Sequence, residues 1–204
     1  MNHVVAVAGP PGGGKTSLVQ GLVARLGDAC AIHMDSYERM TREPIGSVAR
    51  WAERGADFDE LEVPLLGEHL RRLKGGEPVV EPAGGTTIAP RKYVVFETQF
   101  GRAHRATGPL IDLLIWVDTP LDVALARRLK ALCAEALRED RDGAARERLA
   151  WLDGYLANYL AIVRHLLLVQ SARVRPQADV VVDGGVEIED MVRHALGQIV
   201  QRLP

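Results

Sequence analysis

The sequence contains few cysteines and no long apolar run. Its two cysteines, Cys30 and Cys133, are far apart and lie outside any metal-ligand spacing, which predicts reduced thiols and no disulfide framework or zinc site. No uninterrupted apolar stretch reaches the roughly 20 residues that a bilayer span needs. Val4–Ala8 is apolar but short, and no basic region precedes it, so it lacks the pattern of a signal peptide. These absences predict a cytoplasmic protein.

The sequence also lacks an excess of basic residues. It carries 25 Lys and Arg against 27 Asp and Glu, a formal net charge of -2, so no overall positive surface would attract nucleic acid or anionic lipid. A chain of 204 residues, 47% of them hydrophobic, is long enough for one domain with a sizeable core. Repeats, low-complexity tracts and linkers are absent. We therefore expect a single domain over residues 1–204, with no nucleic-acid and no membrane partner.

Apolar, β-rich segments alternate with segments of helical periodicity, which predicts an α/β fold around a mostly parallel sheet. Strands are expected at 3–8, 29–34, 92–97, 113–117 and 178–182. Helices are expected at 16–26, 48–54, 64–74, 120–137, 144–169 and 187–203. Between residues 77 and 90, prolines and glycines break the pattern and predict an irregular hairpin that projects from the sheet.

Residues 9–16, GPPGGGKT, match the phosphate-binding pattern G-x-x-x-x-G-K-[ST] without a gap. A predicted buried strand precedes this phosphate loop and a predicted helix follows it. Glycines leave backbone N–H groups open to an anion, and the helix N-terminus adds a partial positive charge. Lys15 would reach the β- and γ-phosphates, and the Thr16 hydroxyl would bind Mg²⁺. The predicted nucleotide-binding residues of the loop are Gly9, Pro11, Gly12, Gly13, Gly14, Lys15, Thr16 and Ser17.

Three predicted strands are each followed by a carboxylate, at the sheet edge where ligands bind in open α/β folds. For Asp35 the alternatives are a turn cap or a base that deprotonates an acceptor hydroxyl beside the γ-phosphate. Glu97 is either an ordinary loop acid or a residue that holds Mg²⁺ or its water. Asp118 precedes Thr-Pro at a helix start, which favours capping. The sequence has no guanine-reading Asn-Lys-x-Asp, and it is short for a motor ATPase.

Several segments occur in the order seen in the uridine kinase family, which groups with phosphoribulokinase, pantothenate kinase and nicotinamide riboside kinase. Besides the phosphate loop, they are HMDSYERM, ADFDELEVPLLGEHLRRLKGGEPV, YVVFETQF, IDLLIWVDTPLDVALARRLK, NYLAIVRH and QADVVVDGG. The resemblance covers nearly the whole chain. It implies a P-loop NTPase three-layer fold with a central, mostly parallel five-stranded sheet, flanking helices and a helical lid. The lid would span about 127–148, and an acceptor-side insertion about 36–91.

The resemblance also implies an activity and site residues. The protein would transfer the γ-phosphate of ATP, with Mg²⁺, to a hydroxyl of a small nucleoside-like, vitamin or sugar acceptor. Lys15 and Asp35 would be catalytic, Asp35 as the base, and Glu97 would be the acid associated with Mg²⁺. Tyr37 and either Asp57 or Asp59 would lie on the acceptor side. The oligomeric state stays open, with a homodimer among the options.

Arginines complete the implied site. Arg127 and Arg128 match the pair that starts the lid helix, with Arg128 expected to be catalytic. Arg138 and Arg141 resemble lid arginines that close on the triphosphate, and Arg164 matches an arginine near the acceptor. Planar guanidinium groups suit the charge that spreads over the γ-phosphoryl oxygens in the transition state. For each arginine, a solvated helix face is the alternative.

Two departures from the family leave the acceptor unnamed. Uridine kinases usually have Gly after the carboxylate of the third strand, where this chain has Thr98. Their projecting hairpin carries aromatic residues and a histidine, whereas the corresponding stretch here, EPAGGTTIAPRK, has neither. Two other functions therefore stay open: an ATP-binding regulator with little acceptor activity, and a binding protein that has lost its chemistry. His33 is interpreted as strand packing and Trp151 as near-core, while Trp51 is a candidate for lining an acceptor pocket.

Overall fold

The computed structural model describes residues 2–37, 45–82, 84–138 and 144–203. Within these ranges, short apolar segments rich in β-branched residues form seven strands. They are β1 (His3–Ala8), β2 (Ala29–His33), β3 (Val79–Val80), β4 (Thr87–Ile88), β5 (Tyr93–Glu97), β6 (Leu113–Asp118) and β7 (Val180–Asp183). Five of them form one sheet in the order β2-β5-β1-β6-β7, and every neighbouring pair is parallel. The predicted fold class is thereby confirmed.

Segments of helical periodicity form the outer layers. They are α1 (Lys15–Leu26), α2 (Ile45–Glu53), α3 (Pro64–Lys74), α4 (Leu121–Ala136), α5 (Ala144–Asn158), α6 (Arg164–Val174) and α7 (Ile188–Arg202). The residues between α5 and α6, Tyr159–Val163, form a π-helix, so the helical run is continuous and extends past the predicted end at residue 169. A π-helical turn holds one more residue than an α-helical turn and changes which side chains face the sheet.

Strand β1 shows how the sheet separates two cores. Its even-numbered residues Val4, Ala6 and Ala8 pack in one apolar cluster with residues of α2, α3 and α6. Its odd-numbered residues Val5 and Val7 pack in a second cluster with residues of α1 and α7. Successive side chains of a strand point to opposite faces, so a strand buried on both sides needs apolar residues throughout. The result is a three-layer α/β/α arrangement.

The hairpin predicted between residues 77 and 90 is present as a separate two-stranded ribbon. Strands β3 and β4 pair antiparallel, with Val79 opposite Ile88 and Val80 opposite Thr87. This small ribbon belongs to no other sheet and connects α3 to β5. It confirms the hairpin expected from the prolines and glycines, and it lies within residues 36–91, the predicted acceptor-side insertion.

The helical run Ala145–Gln177 is long enough to span a membrane, and an 18-residue window within it reaches a mean hydropathy of 1.2, although no uninterrupted apolar stretch of that length was expected. It carries Arg164 and His165 near its middle, and length and composition alone are weak evidence for a membrane. Within it Trp151 is 48% exposed, so its assignment near the core is wrong. Its indole stacks on Tyr155 instead, with ring centroids 5.4 Å apart.

Candidate active site

The phosphate loop connects the central strand β1 to α1, so α1 points its N-terminus at the space above the sheet. Gly14 precedes the helix with a φ of 99°, a left-handed conformation that side chains other than glycine rarely adopt. A Cβ at Gly12 would lie 2.2 Å from the carbonyl oxygen of Ala124 in α4. The Thr119 hydroxyl donates to the Gly13 carbonyl at 2.9 Å, which ties the loop to the end of β6. The loop is a backbone cradle that a larger side chain would fill.

A cavity of about 510 Å³ opens beside this cradle. Residues predicted for the site contribute to its lining, namely Gly12, Gly14, Lys15, Thr16, Ser17, Arg127 and Arg128. The remaining lining residues are Ala131, Gly185, Val186, Glu187, Ile188 and Met191. These were not predicted from the sequence. The turn after the last strand carries no phosphate-like pattern, and only the strand order brings it beside the loop.

Lys15 is buried under the phosphate loop. Its Nζ donates to the Pro10 carbonyl at 3.2 Å, and the residue is 8% exposed. Burial lowers the pKa of Lys15, while the charges of Glu97 and Asp35 act in the opposite direction. The Lys15 side chain thus lies near Glu97 and Asp35, two carboxylates of the predicted site.

Thr16, Glu97 and His33 form a hydrogen-bonded chain at the edge of the sheet. The Thr16 hydroxyl lies 3.0 and 3.2 Å from the two carboxylate oxygens of Glu97. His33 Nδ1 donates to Glu97 Oε2 at 2.7 Å. The contact arises because His33 and Glu97 end β2 and β5 and are partners in the parallel register. The interpretation of His33 as strand packing did not include this hydrogen bond to Glu97.

The protonation states of this chain follow from its contacts. The hydrogen bond to Glu97 raises the pKa of His33, and burial only partly opposes it. Burial would raise the pKa of Glu97, but the hydrogen bond from His33 and the charge of Lys15 bring it below its ordinary value. Glu97 is therefore an ionised carboxylate at neutral pH. Together with the Thr16 hydroxyl it offers the oxygen ligands that Mg²⁺ prefers.

No group of three His, Cys, Asp or Glu side chains that could hold a metal ion occurs among the residues that the structure describes. This does not conflict with a magnesium site beside a phosphate loop. Mg²⁺ is usually held by one or two protein oxygens together with phosphate oxygens and water. Thr16 and Glu97 match that smaller donor set.

Asp35 lies on the short helix Met34–Ser36 directly after β2, and its side chain is exposed. Its Oδ1 accepts a hydrogen bond from Gln99 Nε2 at 3.2 Å. The neighbouring Ser36 hydroxyl donates to Glu81 of the hairpin segment at 2.8 Å. The Tyr37 hydroxyl lies 2.9 Å from His69 Nδ1 of α3, and burial raises the pKa of Tyr37 to about 12. The segment that carries Asp35 is thus held by contacts with Gln99, with the hairpin segment and with α3.

The predicted arginines are distributed over several elements. Arg127 Nη1 donates to the Gly184 carbonyl at 2.7 Å, which joins α4 to the turn after β7. Arg128 is exposed and faces the same cavity. Arg138 is exposed just past the end of α4, and Arg141 lies outside the described residues. Arg164 is exposed at the start of α6.

The acidic acceptor-side candidates have structural partners. Asp57 precedes the short helix Phe58–Glu60 and caps it, because its carboxylate accepts from the Asp59 N–H at 3.0 Å. Asp59 in turn accepts from the backbone N–H of Arg105 at 2.6 Å. Asp118, predicted as a helix cap, does not cap α4, whose N-cap is Pro120. Asp118 instead pairs with Arg175 at 3.0 Å, so the capping prediction is wrong.

Comparison with known proteins gives relatives over nearly the whole chain. No family model matches it. Uridine kinases match it in sequence. That of Halobacterium salinarum is 24% identical over 199 residues, which cover 90% of this chain and 81% of the relative. The uridine kinase of Klebsiella pneumoniae (strain 342) is 25% identical over 91% and 90%, and that of Chloroflexus aggregans is 27% identical over 89% and 87%. The expected similarity to uridine kinases is confirmed.

Solved structures agree on the fold. A shikimate kinase from Acinetobacter baumannii in complex with shikimate superposes with a TM-score of 0.55 at 17% identity, covering 98% of this chain and 94% of that one. A gluconokinase from Sinorhizobium meliloti superposes with a TM-score of 0.52 at 16% identity, covering 98% and 93%. At these identities the likeness concerns the fold, which is that of the P-loop kinases.

Proposed function

We propose that this chain is an ATP-dependent kinase that transfers the γ-phosphate to a hydroxyl group of a small metabolite. One observation carries the proposal: the phosphate loop, the Thr16–Glu97–His33 chain and Asp35 all lie at the carboxyl edge of three adjacent strands. Ligands of open α/β sheets bind at this edge. The similarity to uridine kinases over most of the chain supports the same activity.

The phosphate loop and Lys15 would hold the triphosphate. Backbone N–H groups at the start of α1 would bind phosphate oxygens, and Lys15 would contact the β- and γ-phosphates. Thr16 and Glu97 would hold Mg²⁺, which when bound neutralises charge on those phosphates. Arg127 and Arg128 face the same cavity and suit the equatorial oxygens of the transferred group. Arg138 and Arg141 remain predicted lid residues, and the lid itself remains a prediction.

Asp35 would act on the acceptor. Its exposed carboxylate accepts the hydroxyl proton as the acceptor oxygen bonds to the γ-phosphorus and the bond to the β–γ bridging oxygen breaks, which releases ADP. Gln99 holds Asp35 by the 3.2 Å hydrogen bond and orients it. The roles of Tyr37, Asp57 and Arg164 in holding the acceptor remain predictions. We also infer that the protein works in the cytoplasm, because its two cysteines suit a reducing compartment.

The test is Asp35→Asn with an acceptor screen that follows ADP release above the no-acceptor background. We expect turnover to fall by about 10²–10⁴-fold, the usual contribution of a general base, while the dissociation constant for ATP changes little. Asp28→Asn, at the opposite edge of the sheet before β2, is the matched control and should keep full turnover. Unchanged turnover in Asp35→Asn would show that Asp35 is not the catalytic base. ADP release that no acceptor stimulates would contradict the proposed kinase activity.

A further inference from the structure

A second cavity, of about 380 Å³, lies between α2, α6 and the segment after β5. Its lining includes three aromatic side chains that the sequence places far apart, Trp51, Phe58 and Phe100. The Phe58 and Phe100 rings are in contact, with centroids 4.6 Å apart, and the Trp51 indole N–H donates to the Asp57 carbonyl at 2.8 Å. Each of the three rings is therefore held by a contact with another ring or with the backbone. The rings belong to elements other than the hairpin that lacks aromatic residues.

Uncharged side chains alone line this cavity, within the part of the chain that the structure describes. Aliphatic residues of α2 and α6 complete the apolar wall, and the polar contribution consists of the amides of Gln99, Asn158 and Gln170. The nucleotide-side cavity differs, since Lys15, Arg127 and Arg128 line it. A charged ligand would lose its hydration in the second cavity without gaining a partner of opposite charge.

Gln170, which lines the second cavity and also a neighbouring cavity of about 410 Å³, carries an unused hydrogen-bond acceptor. Its Nε2 donates to the Gln99 carbonyl at 2.6 Å and lies 3.5 Å from the Gly9 carbonyl, which fixes the orientation of the amide. Its Oε1 is buried and has no partner among the described residues, and Gln170 as a whole is 6% exposed. A buried polar atom without a partner costs free energy unless a ligand or water supplies the missing hydrogen bond.

The cavity adjoins both the phosphate loop and the segment that holds Asp35, the proposed base. Pro11 of the phosphate loop forms part of its wall, and Gln99 in the same wall donates to Asp35. Asn158 and Val163, which flank and end the π-helical segment, also line it. Segments of π-helix are often found at functional sites, where the additional residue redirects side chains toward a ligand.

We propose, on the premise of the proposed function, that this cavity binds the acceptor. The acceptor is then an uncharged alcohol with a flat apolar body and an N–H or O–H group that donates to Gln170 Oε1. Polyhydroxylated acids are excluded as acceptors, because neither a cation for the carboxylate nor enough polar groups for the hydroxyls line the cavity among the described residues.

Three probes with one skeleton test this proposal: benzyl alcohol, 4-(hydroxymethyl)benzamide and 4-(hydroxymethyl)benzoate. Titration by ligand-observed saturation-transfer NMR, without ATP, gives a dissociation constant for each. We expect the amide to bind about tenfold more tightly than benzyl alcohol, since it can pair with Gln170, and the carboxylate to bind at least about tenfold more weakly than the amide. Equal or tighter binding of the carboxylate would overturn the proposal.

Two variants locate the binding. Gln170→Met should abolish the advantage of the amide over benzyl alcohol, while Gln20→Met on the exposed face of α1 should preserve it. Ile45→Lys places a cation at a partly exposed residue of the cavity wall and should raise the affinity of the carboxylate probe, whereas Val200→Lys on α7 should not. If Gln170→Met and Ile45→Lys both leave the affinities unchanged, the probes bind elsewhere and the assignment of the cavity is wrong.

The results that would contradict the proposed kinase activity differ from those that would contradict the assignment of this cavity. Probe binding with the predicted order, but no acceptor-dependent ADP release with either neutral probe or the wider acceptor screen, would contradict the kinase. Acceptor-dependent ADP release that requires Asp35, with no detectable probe binding in the cavity, would leave the kinase in place and overturn the substrate class.

Discussion

His33 Nδ1 lies 2.7 Å from Glu97 Oε2 and joins the last residues of two neighbouring strands, β2 and β5. The carboxylate that His33 contacts also accepts from the Thr16 hydroxyl. In the proposed kinase, Thr16 and Glu97 hold the metal and His33 holds Glu97. A residue that orients a metal-binding carboxylate in this way usually affects metal affinity without touching the metal.

His33→Ala should weaken the use of magnesium. Loss of the hydrogen bond frees the Glu97 carboxylate to rotate away from Thr16, so we expect about a 10- to 100-fold loss of activity at limiting Mg²⁺. Excess Mg²⁺ should restore part of it. The measurement is acceptor-dependent ADP release as a function of Mg²⁺ concentration. His194→Ala, an exposed histidine on α7, is the control. If His33→Ala and the parent depend on Mg²⁺ concentration in the same way, the hydrogen bond only joins the ends of β2 and β5 and does not affect metal use.

Gly12→Ala should damage the cradle. Gly12 has a φ of 76°, and an added Cβ would meet the Ala124 carbonyl oxygen at 2.2 Å, so the loop must move away from α4. We expect ATP affinity to fall at least about tenfold, because the backbone N–H groups lose their alignment. The measurement is isothermal titration with ATP and Mg²⁺.

The control for this change is Gly27→Ala. Gly27 has nearly the same φ, 74°, but nothing lies within 4 Å of its Cβ position. It should lose only about 1–2 kcal/mol of stability from the left-handed conformation and keep its ATP affinity. Equal ATP binding by the two variants and the parent would show that the approach of Gly12 to Ala124 is not needed for the cradle.

Asp179 should make stability depend on acid pH. Its carboxylate accepts from the Leu114 N–H at 2.7 Å and from Arg102 at 2.6 Å. Burial would raise the pKa of Asp179, but these partners bring it below the ordinary value of 3.8. Because the folded pKa lies below the unfolded one, the stabilisation is complete above about pH 4 and is lost as pH falls through the folded pKa.

Urea unfolding at pH 7 and pH 3 measures this effect. Asp179→Asn should lower the free energy of unfolding at pH 7 by about 1–3 kcal/mol, since a charge-assisted hydrogen bond is lost. The difference from the parent should shrink at pH 3. Asp153→Asn on the exposed face of α5 should change neither value. An undiminished difference at pH 3 would contradict the lowered pKa.

Local patterns in the sequence predict much of this protein. The phosphate loop, all five sheet strands and the hairpin follow from glycine content, apolar runs and breaks in periodicity. Boundaries shift by a few residues, as at α2, which begins at Ile45 and not at Val48. Apolar runs of four to eight residues that are rich in β-branched side chains indicate strands buried on both faces, because buried helices are usually longer.

Contacts between distant segments could not be predicted in this way. His33 and Glu97 are 64 residues apart, and only the strand order β2-β5 makes them neighbours. Trp51, Phe58 and Phe100 meet around one cavity because α2 and the segment after β5 pack on the same face of the sheet. In the proposed acceptor cavity these rings would replace the aromatic surface missing from EPAGGTTIAPRK, and of the three only Trp51 was a candidate from the sequence.

The central position of β1 has a consequence for the order in which the protein can assemble. Residues 3–7 pair with residues 93–97, and residues 5–8 pair with residues 113–116. The strand that leads into the phosphate loop therefore has no sheet partner until residues 93–97 have been synthesised, and it has both partners only after more than half of the 204 residues. Such long-range parallel pairing slows folding. The nucleotide cradle, encoded among the first 16 residues, thus depends on strands that a nascent chain acquires about 80 to 100 residues later.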